Sequence, residues 1–252
     1  VNADRFDAWT ESLLERHLRE LTLREVGRAL KQLTQDYVQQ RHRLAGGALE
    51  GRGKRAAFAL YYGTRHFLLV REVLKRLAPP TGPDLPILDL GCGTGVAGAA
   101  WALETGPGAR VTGYDTMTWA IDEARRTYRD LGVRGGALKQ DIARLRWPDG
   151  PLAVMAAFTV NELADTERAK LRQRLLDNAA GGGRTLIVEP LARPITRAWW
   201  NDWAGAFTRA GGRADEWHFD LPLPERIHVM GKAAGLNPRE LGARTLWLNG
   251  TG

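Results

Sequence analysis

Ile87-Leu88-Asp89-Leu90-Gly91-Cys92-Gly93-Thr94-Gly95 decides the reading of the fold. Ile87 to Leu90 has the length and apolar density of a short buried strand. It breaks at once into alternate glycines, which can take positive φ and bring their backbone close to a ligand. Residues 96–103, rich in Ala with Trp101 and Leu103, then predict a helix. A glycine loop that feeds a helix N-terminus offers unpaired N–H groups to an anionic or carboxylate-bearing ligand.

Outward from this stretch the pattern alternates strand and helix, as in a parallel sheet with helices on both faces. A second strand ends in Asp115, and a helix is predicted over 118–131. A strand-end carboxylate there can accept both ribose hydroxyls of a nucleotide-type ligand, or cap the helix that follows. A third strand over 136–142 takes in Gln140, Asp141 and Ile142; a fourth over 152–160 takes in Phe158 and leads into Asn161 and Glu162. Ligands of open parallel sheets sit outside the carboxyl ends of the strands, which puts Asn161 and Glu162 at the reacting end. The bland reading is a helix cap and a backbone holder. A fifth strand is expected over 184–190, then a helix from Pro194 with Ile195, Trp199, Trp200, Trp203 and Phe207. Those aromatics are either core or a stacking platform. Two further strands, 214–220 and 244–248, flank a short helix over 224–234, completing a seven-stranded α/β sheet.

The first 80 residues carry helical periodicity and no strand signal. Phe6, Trp9, Leu13, Leu14 and Leu18 make one apolar stripe, and Thr22 with Glu25 forms a capping box that starts a helix running to 44. Gly46, Gly47, Gly51 and Gly53 break the chain before a third helix over 54–77, apolar on more than one side. Pro79, Pro80, Gly82, Pro83 and Pro86 read as a linker, so the expected division is 1–80, an N-terminal helical lid, and 81–252, the sheet domain.

An apolar fraction of 44% over 252 residues suffices for a full core. No apolar run reaches the ~18 residues of a membrane span, and the charged start of the chain is unlike a leader; a soluble cytoplasmic protein is expected. Cys92 is the only cysteine, and the five histidines lack ligand spacing, so neither a disulfide nor a metal site is expected. The net charge of +7 is uneven: residues 1–80 hold 15 Lys and Arg against 9 Asp and Glu. Its densest part, from Arg41 to Arg76, suits phosphate neutralisation or is a solvated helical face.

Gly93, Gly95 and Gly98 alone satisfy a dinucleotide fingerprint, but Asp89 stands two residues before Gly91, where a dinucleotide strand runs apolar. Asp-x-Gly-x-Gly-x-Gly resembles the first motif of the class I S-adenosylmethionine-dependent methyltransferases. The resemblance implies a Rossmann-like sheet over about 84–250, with the glycine loop against the methionine part of the cofactor and Asp89 near its amino group. Asp141 would then meet the adenine amino group, with Ile142 on the ring, or merely solubilise a loop. The implied S-adenosyl-L-methionine site comprises Asp89, Gly91, Cys92, Gly93, Gly95, Asp115, Thr116, Gln140, Asp141, Ile142 and Phe158.

A narrower likeness lies in Phe158-Thr-Val-Asn-Glu-Leu163, Thr185-Leu-Ile-Val-Glu-Pro190 and Arg55-Ala-Ala-Phe-Ala-Leu-Tyr-Tyr62. These look like the ribosomal small-subunit methyltransferase-like family of bacteria and mitochondria, although many of its members carry a Cys/His cluster after the fifth strand and this chain has His218 but no cysteine there. The implied activity is methylation of RNA, with the small ribosomal subunit as partner. A small-molecule acceptor, such as an antibiotic or specialised metabolite, is the alternative; a third is a non-catalytic ribosome-assembly factor that keeps the fold. Asn161, Glu162 and His66 are the expected catalytic groups, and Tyr61, Tyr62, Arg65 and Trp199 the expected acceptor contacts.

Overall fold

The computed structural model describes residues 3–39, 49–78, 85–191 and 197–250. Gly46, Gly47, Arg41, Arg43, Pro79, Pro80, Gly82, Pro83, Pro194 and Ile195, which carried the expected glycine break, linker, basic run and helix start, lie wholly or partly outside them. Two compact units emerge: Val1–Leu68 with Phe219–Leu241, and Leu69–His218 with Gly242–Gly252. The division falls inside a helix rather than in the proline-rich stretch.

The first unit holds α1 (Ala3–His17), α2 (Leu23–Gln39), α3 (Arg52–Ala57) and α9 (Glu225–Ala233). Burial of Trp9, Leu13 and Leu14 follows the predicted stripe, and Phe67 stacks on Phe6 with centroids 5.5 Å apart. The capping box forms: Thr22 N donates to Glu25 Oε2 at 2.7 Å, and Glu25 N donates to Thr22 Oγ1 at 3.3 Å. The predicted helix over 54–77 differs in one respect, because Phe58–Gly63 winds as π-helix between α3 and α4 (Thr64–Leu77). Phe58-Ala-Leu-Tyr-Tyr62 is apolar on every side, so its periodicity cannot distinguish 3.6 from a wider turn.

The second unit is built on β1 (Ile87–Leu90), β2 (Arg110–Asp115), β3 (Arg134–Lys139), β4 (Ala153–Ala157), β5 (Arg184–Glu189), β6 (Arg213–Asp220) and β7 (Glu240–Asn249), whose outer strands run partly into the first unit. Their order is β3-β2-β1-β4-β5-β7-β6. Strands β1 to β5 pair in parallel, and β7 returns antiparallel to β5. Between them run α5 (Val96–Thr105), α6 (Thr118–Asp130), α7 (Asp165–Ala180) and α8 (Arg197–Arg209).

Period-two alternation divides the strands between the two helix layers. Leu88, Leu90, Val154, Ala156, Ile187, Leu246 and Leu248 share a core with Leu171 and Leu175 of α7 and Trp200, Trp203 and Phe207 of α8. Most of the helical aromatics are therefore core, each worth about 1.5–3 kcal/mol of burial. Trp247, one residue out of phase, meets Trp101 of α5 at 5.9 Å on the opposite face. The third strand starts two residues earlier than expected because Arg134 and Gly135 pair with Arg110 and Val111. The fourth ends at Ala157, and a 3₁₀ turn, Val160–Glu162, replaces its expected last residues.

Candidate active site

Strand order reverses between β1 and β4, and the carboxyl ends beside such a switch point form a crevice. Two segments flank it: the glycine loop after β1 and the turn after β4.

Gly95 caps α5 in the left-handed region at φ 77°, and Gly91 turns off β1 at φ 64°. Asp89, at 1% exposure, accepts from Gly98 N through Oδ2 at 3.0 Å. Its Oδ1 is buried with no hydrogen-bond partner among the described residues. Burial, joined by the charge of Asp115, lifts the Asp89 carboxyl to about 7 despite the Gly98 bond. An orphaned buried acceptor beside a glycine loop and a helix N-terminus fits a ligand with a cationic amino group and a carboxylate. Cys92 is buried under the loop, its thiol pushed well up by burial.

Asp115 is a loop holder as well as a strand-end acid. Its Oδ2 accepts from Gly93 N and its Oδ1 from Met117 N, both at 2.9 Å. Each oxygen retains a lone pair, so ribose hydroxyls can still be accepted. Thr116 and Met117 beside it are exposed. Gln140 N donates to Asp115 O at 2.9 Å, which ties the end of β3 to that of β2. Asp141 is not a strand residue: it caps the 3₁₀ turn Ile142–Arg144, its Oδ1 accepting from Ala143 N at 2.9 Å, and Ile142 is half-buried.

Phe158 stands at the end of β4 with φ 59°, a conformation that costs an ordinary residue roughly 1–3 kcal/mol and gathers at functional sites. Thr159 Oγ1 donates to Gly91 O at 3.3 Å and Ala157 O at 3.1 Å, fastening the turn to the loop. Asn161 N donates to Glu189 Oε1 at 3.2 Å, and Asn161 Nδ2 donates to Glu189 Oε2. Trp199 Nε1 donates to Asn161 Oδ1 at 3.1 Å. Glu162 is exposed. Sequence reasoning did not single out Glu189 or Thr159. An acid in Val-Glu-Pro at a strand end was the only available signal.

The cofactor candidates and Asn161, Glu162 and Trp199 thus gather at the strand ends of one unit. Tyr61, Tyr62, Arg65 and His66 belong to the other. There Arg65 lies 5.1 Å from the Tyr61 ring and donates to Pro238 O at 2.6 Å and Glu240 O at 2.7 Å. Tyr62 and His66 rings are 5.9 Å apart, and burial, with the charge of Arg65, holds the imidazole down to about 3. That histidine is neutral at ordinary pH and a weak base. Described cations of the basic run are also engaged: Arg52 with Glu20, Arg71 with Glu104 at 2.9 Å, and Lys75 with Glu72 at 2.6 Å.

A glycine loop after β1, acids ending β1 and β2, and an antiparallel last strand in a seven-stranded sheet define the class I methyltransferase architecture, whose methyl donor is S-adenosylmethionine. Residues 87–183 match the family described as a methyltransferase domain. Over that stretch the chain is similar to methyltransferase domains. A search of curated proteins returned no match. Among solved structures, mitomycin 7-O-methyltransferase aligns at 20% identity with TM-score 0.53, over 89% of this chain and 68% of that one. A candidate O-methyltransferase of Nostoc punctiforme aligns at 13% identity with TM-score 0.53, over 89% and 69%. Magnesium protoporphyrin IX methyltransferase of Synechocystis, solved with bound S-adenosylmethionine, aligns at 17% identity with TM-score 0.48, over 88% and 97%. The first two share the fold. Among the described residues no group of acids, His and Cys could hold a metal ion, and no helix is long and apolar enough to cross a membrane.

Proposed function

We propose that the chain is an S-adenosylmethionine-dependent methyltransferase acting on a small organic molecule. The observation that carries the acceptor class is the wall beyond the turn after β4. There the half-buried Trp199 indole has the guanidinium groups of Arg168, at 5.2 Å, and Arg244, at 5.7 Å, over its ring, and its N–H is held by Asn161. An aromatic wall with fixed polar atoms is the usual make-up of a small-molecule pocket. The two folds of highest TM-score cited above include a mitomycin O-methyltransferase, which agrees with this reading. An RNA acceptor would draw on the basic N-terminal run, but several of its cations are taken up by acids and carbonyls.

In this reading Asp89 Oδ1 receives the cofactor's amino group, Asp115 its ribose, and Asp141 with Ile142 its adenine. The bound group supplies a methyl on a positively charged sulfur. The protein's task is alignment: the turn at Phe158 to Glu162 and the Trp199 wall would hold the acceptor heteroatom about 3–3.5 Å from that methyl. Exposed Glu162 is the group placed to take a proton from a hydroxyl acceptor. Asp115→Ala should weaken binding of S-adenosylhomocysteine by about 1–3 kcal/mol, through both ribose contact and loss of the Gly93 bond. Titration calorimetry checks this, and unchanged affinity would remove Asp115 from the site.

The acceptor class is tested by transfer of labelled methyl from S-adenosylmethionine into parallel pools of small metabolites, bulk RNA and small ribosomal subunits. Label is expected in the metabolite pool, with little dependence on salt. Label in RNA that falls steeply with salt would overturn the proposal.

A further inference from the structure

Four elements meet at one buried acid. Glu189 closes β5 at 0% exposure, and Arg244, also at 0%, is its antiparallel register partner on β7. Both lie in the strand phase that faces α7 and α8, because Ile187 and Leu246, two residues away on each strand, belong to that core. Arg244 stacks on Trp200 of α8 at 4.1 Å. On the side of the turn, both carboxylate oxygens of Glu189 are taken by donors of Asn161, whose own oxygen receives the Trp199 N–H. Two residues earlier the same turn is fastened to the glycine loop through Thr159 and Gly91. A short rigid piece, Phe158 to Glu162, is therefore held at one end by the cofactor loop and at the other by Glu189.

We infer that Glu189 is a positioning residue for the acceptor side of the site: as a carboxylate it fixes the Asn161 amide, and through it sets the Trp199 wall. The inference rests on the methyltransferase reading above. Its chemistry follows from donor and acceptor counts. An ionised carboxylate is acceptor-only and takes both Asn161 donors at once, whereas a protonated one carries a hydrogen on one oxygen and must surrender or distort one of them. The protonation state of Glu189 is thereby coupled to the orientation of Asn161 and of the indole bonded to it.

The charged groups facing Glu189 are Arg244 from β7, which favours the carboxylate, and Glu162 from the turn, which opposes it. Burial outweighs the Asn161, Val160 and Arg244 contributions and lifts the group to about 8. The switch thus falls in an accessible range. The acceptor wall is set as pH rises through it and loosens as pH falls.

The test needs no acceptor. The full chain, labelled with ¹⁵N-tryptophan and saturated with S-adenosylhomocysteine, is followed by NMR from about pH 6 to about pH 10. Trp199→Phe, which keeps a ring and removes the donor, assigns the Trp199 indole signal. That signal is expected to titrate once, with a midpoint near 8, and to stop titrating in Glu189→Gln. Should Glu189→Gln fail to fold, Asn161→Ala, which cuts the relay while leaving the acid, must also abolish the response. Paired exchange of Asn161→Asp with Glu189→Gln restores donor–acceptor complementarity, because the new carboxamide can donate to the new carboxylate, and should return the indole signal toward its wild-type high-pH position. A Trp199 signal flat across the range, or one that still titrates in Glu189→Gln or Asn161→Ala, would overturn the inference. Affinity for S-adenosylhomocysteine is measured on the same samples. Loss of binding in the wild type would instead strike at the cofactor reading.

Discussion

Gly91→Ala is expected to lower affinity for S-adenosylhomocysteine by at least about 30-fold. A Cβ at Gly91 would lie 2.4 Å from Thr159 Oγ1 and 2.5 Å from its Cγ2. Thr159 cannot step aside cheaply, being buried and bonded to Gly91 O and Ala157 O. The φ of 64° adds the cost of a left-handed residue, so the combined penalty is on the order of 2–6 kcal/mol. It falls on both segments that border the crevice. Gly136→Ala is the matched control, since its added methyl meets nothing within 4 Å. Calorimetric titration of both variants, with melting curves to confirm folding, checks the contrast, and equal affinities would mean that the loop does not approach the ligand.

Above about pH 8, where Glu189 is ionised, Arg244→Ala should destabilise the protein by about 3–5 kcal/mol, the range for stranding one member of a buried charged set. Two losses combine. The guanidinium leaves the face of Trp200, where it stacks at 4.1 Å, and the carboxylate of Glu189 loses the cation facing it from β7. For a chain of this size the melting temperature should drop by roughly 6–20 °C. Arg244→Lys keeps the charge but not the planar stack, and should recover only part of the loss. Denaturant unfolding measures both. A wild-type midpoint in Arg244→Ala would show that the β5–β7–α8 junction is held by packing alone.

These two sites differ in how much of them the sequence discloses. The Asp89 to Gly95 loop is legible because each residue type answers a local demand: an apolar strand, glycines where φ is positive, a helix at once afterwards. Asp115 and Asp141 were legible as positions, but not their bonds to Gly93, Met117 and Ala143, which depend on how the strand ends line up. Glu189 is different in kind. Its burial comes from β7, more than fifty residues later, returning antiparallel and setting Arg244 opposite it. Nothing within Thr185 to Pro190 announces that pairing.

Other differences have equally local causes. Gly135 reads as lying outside the third strand until parallel pairing to Val111 of β2 supplies its partner. The fourth strand was read too long because Phe158-Thr-Val160 is as apolar and β-branched as a strand, while the structure puts Phe158 at positive φ and bends the chain into the 3₁₀ turn. The membership of Phe219–Leu241 in the first unit arises from contacts distant in sequence, which no periodicity encodes. The basic run looked like a phosphate-binding surface because charge was visible and its partners were not. Glu20 and Glu104 lie outside that run, and Arg65 is bound by backbone carbonyls that leave no trace in composition.

The central claim is that S-adenosylmethionine binds at the carboxyl ends of β1 and β2, with Asp89 and Asp115 in contact with it. Calorimetric titration of S-adenosylhomocysteine into wild type, Gly91→Ala and Asp115→Ala tests it most directly. One site per chain is predicted in the wild type, with binding weakened by at least about 30-fold in Gly91→Ala and by about 1–3 kcal/mol in Asp115→Ala. No binding to the folded wild type, or equal binding by all three, would contradict it.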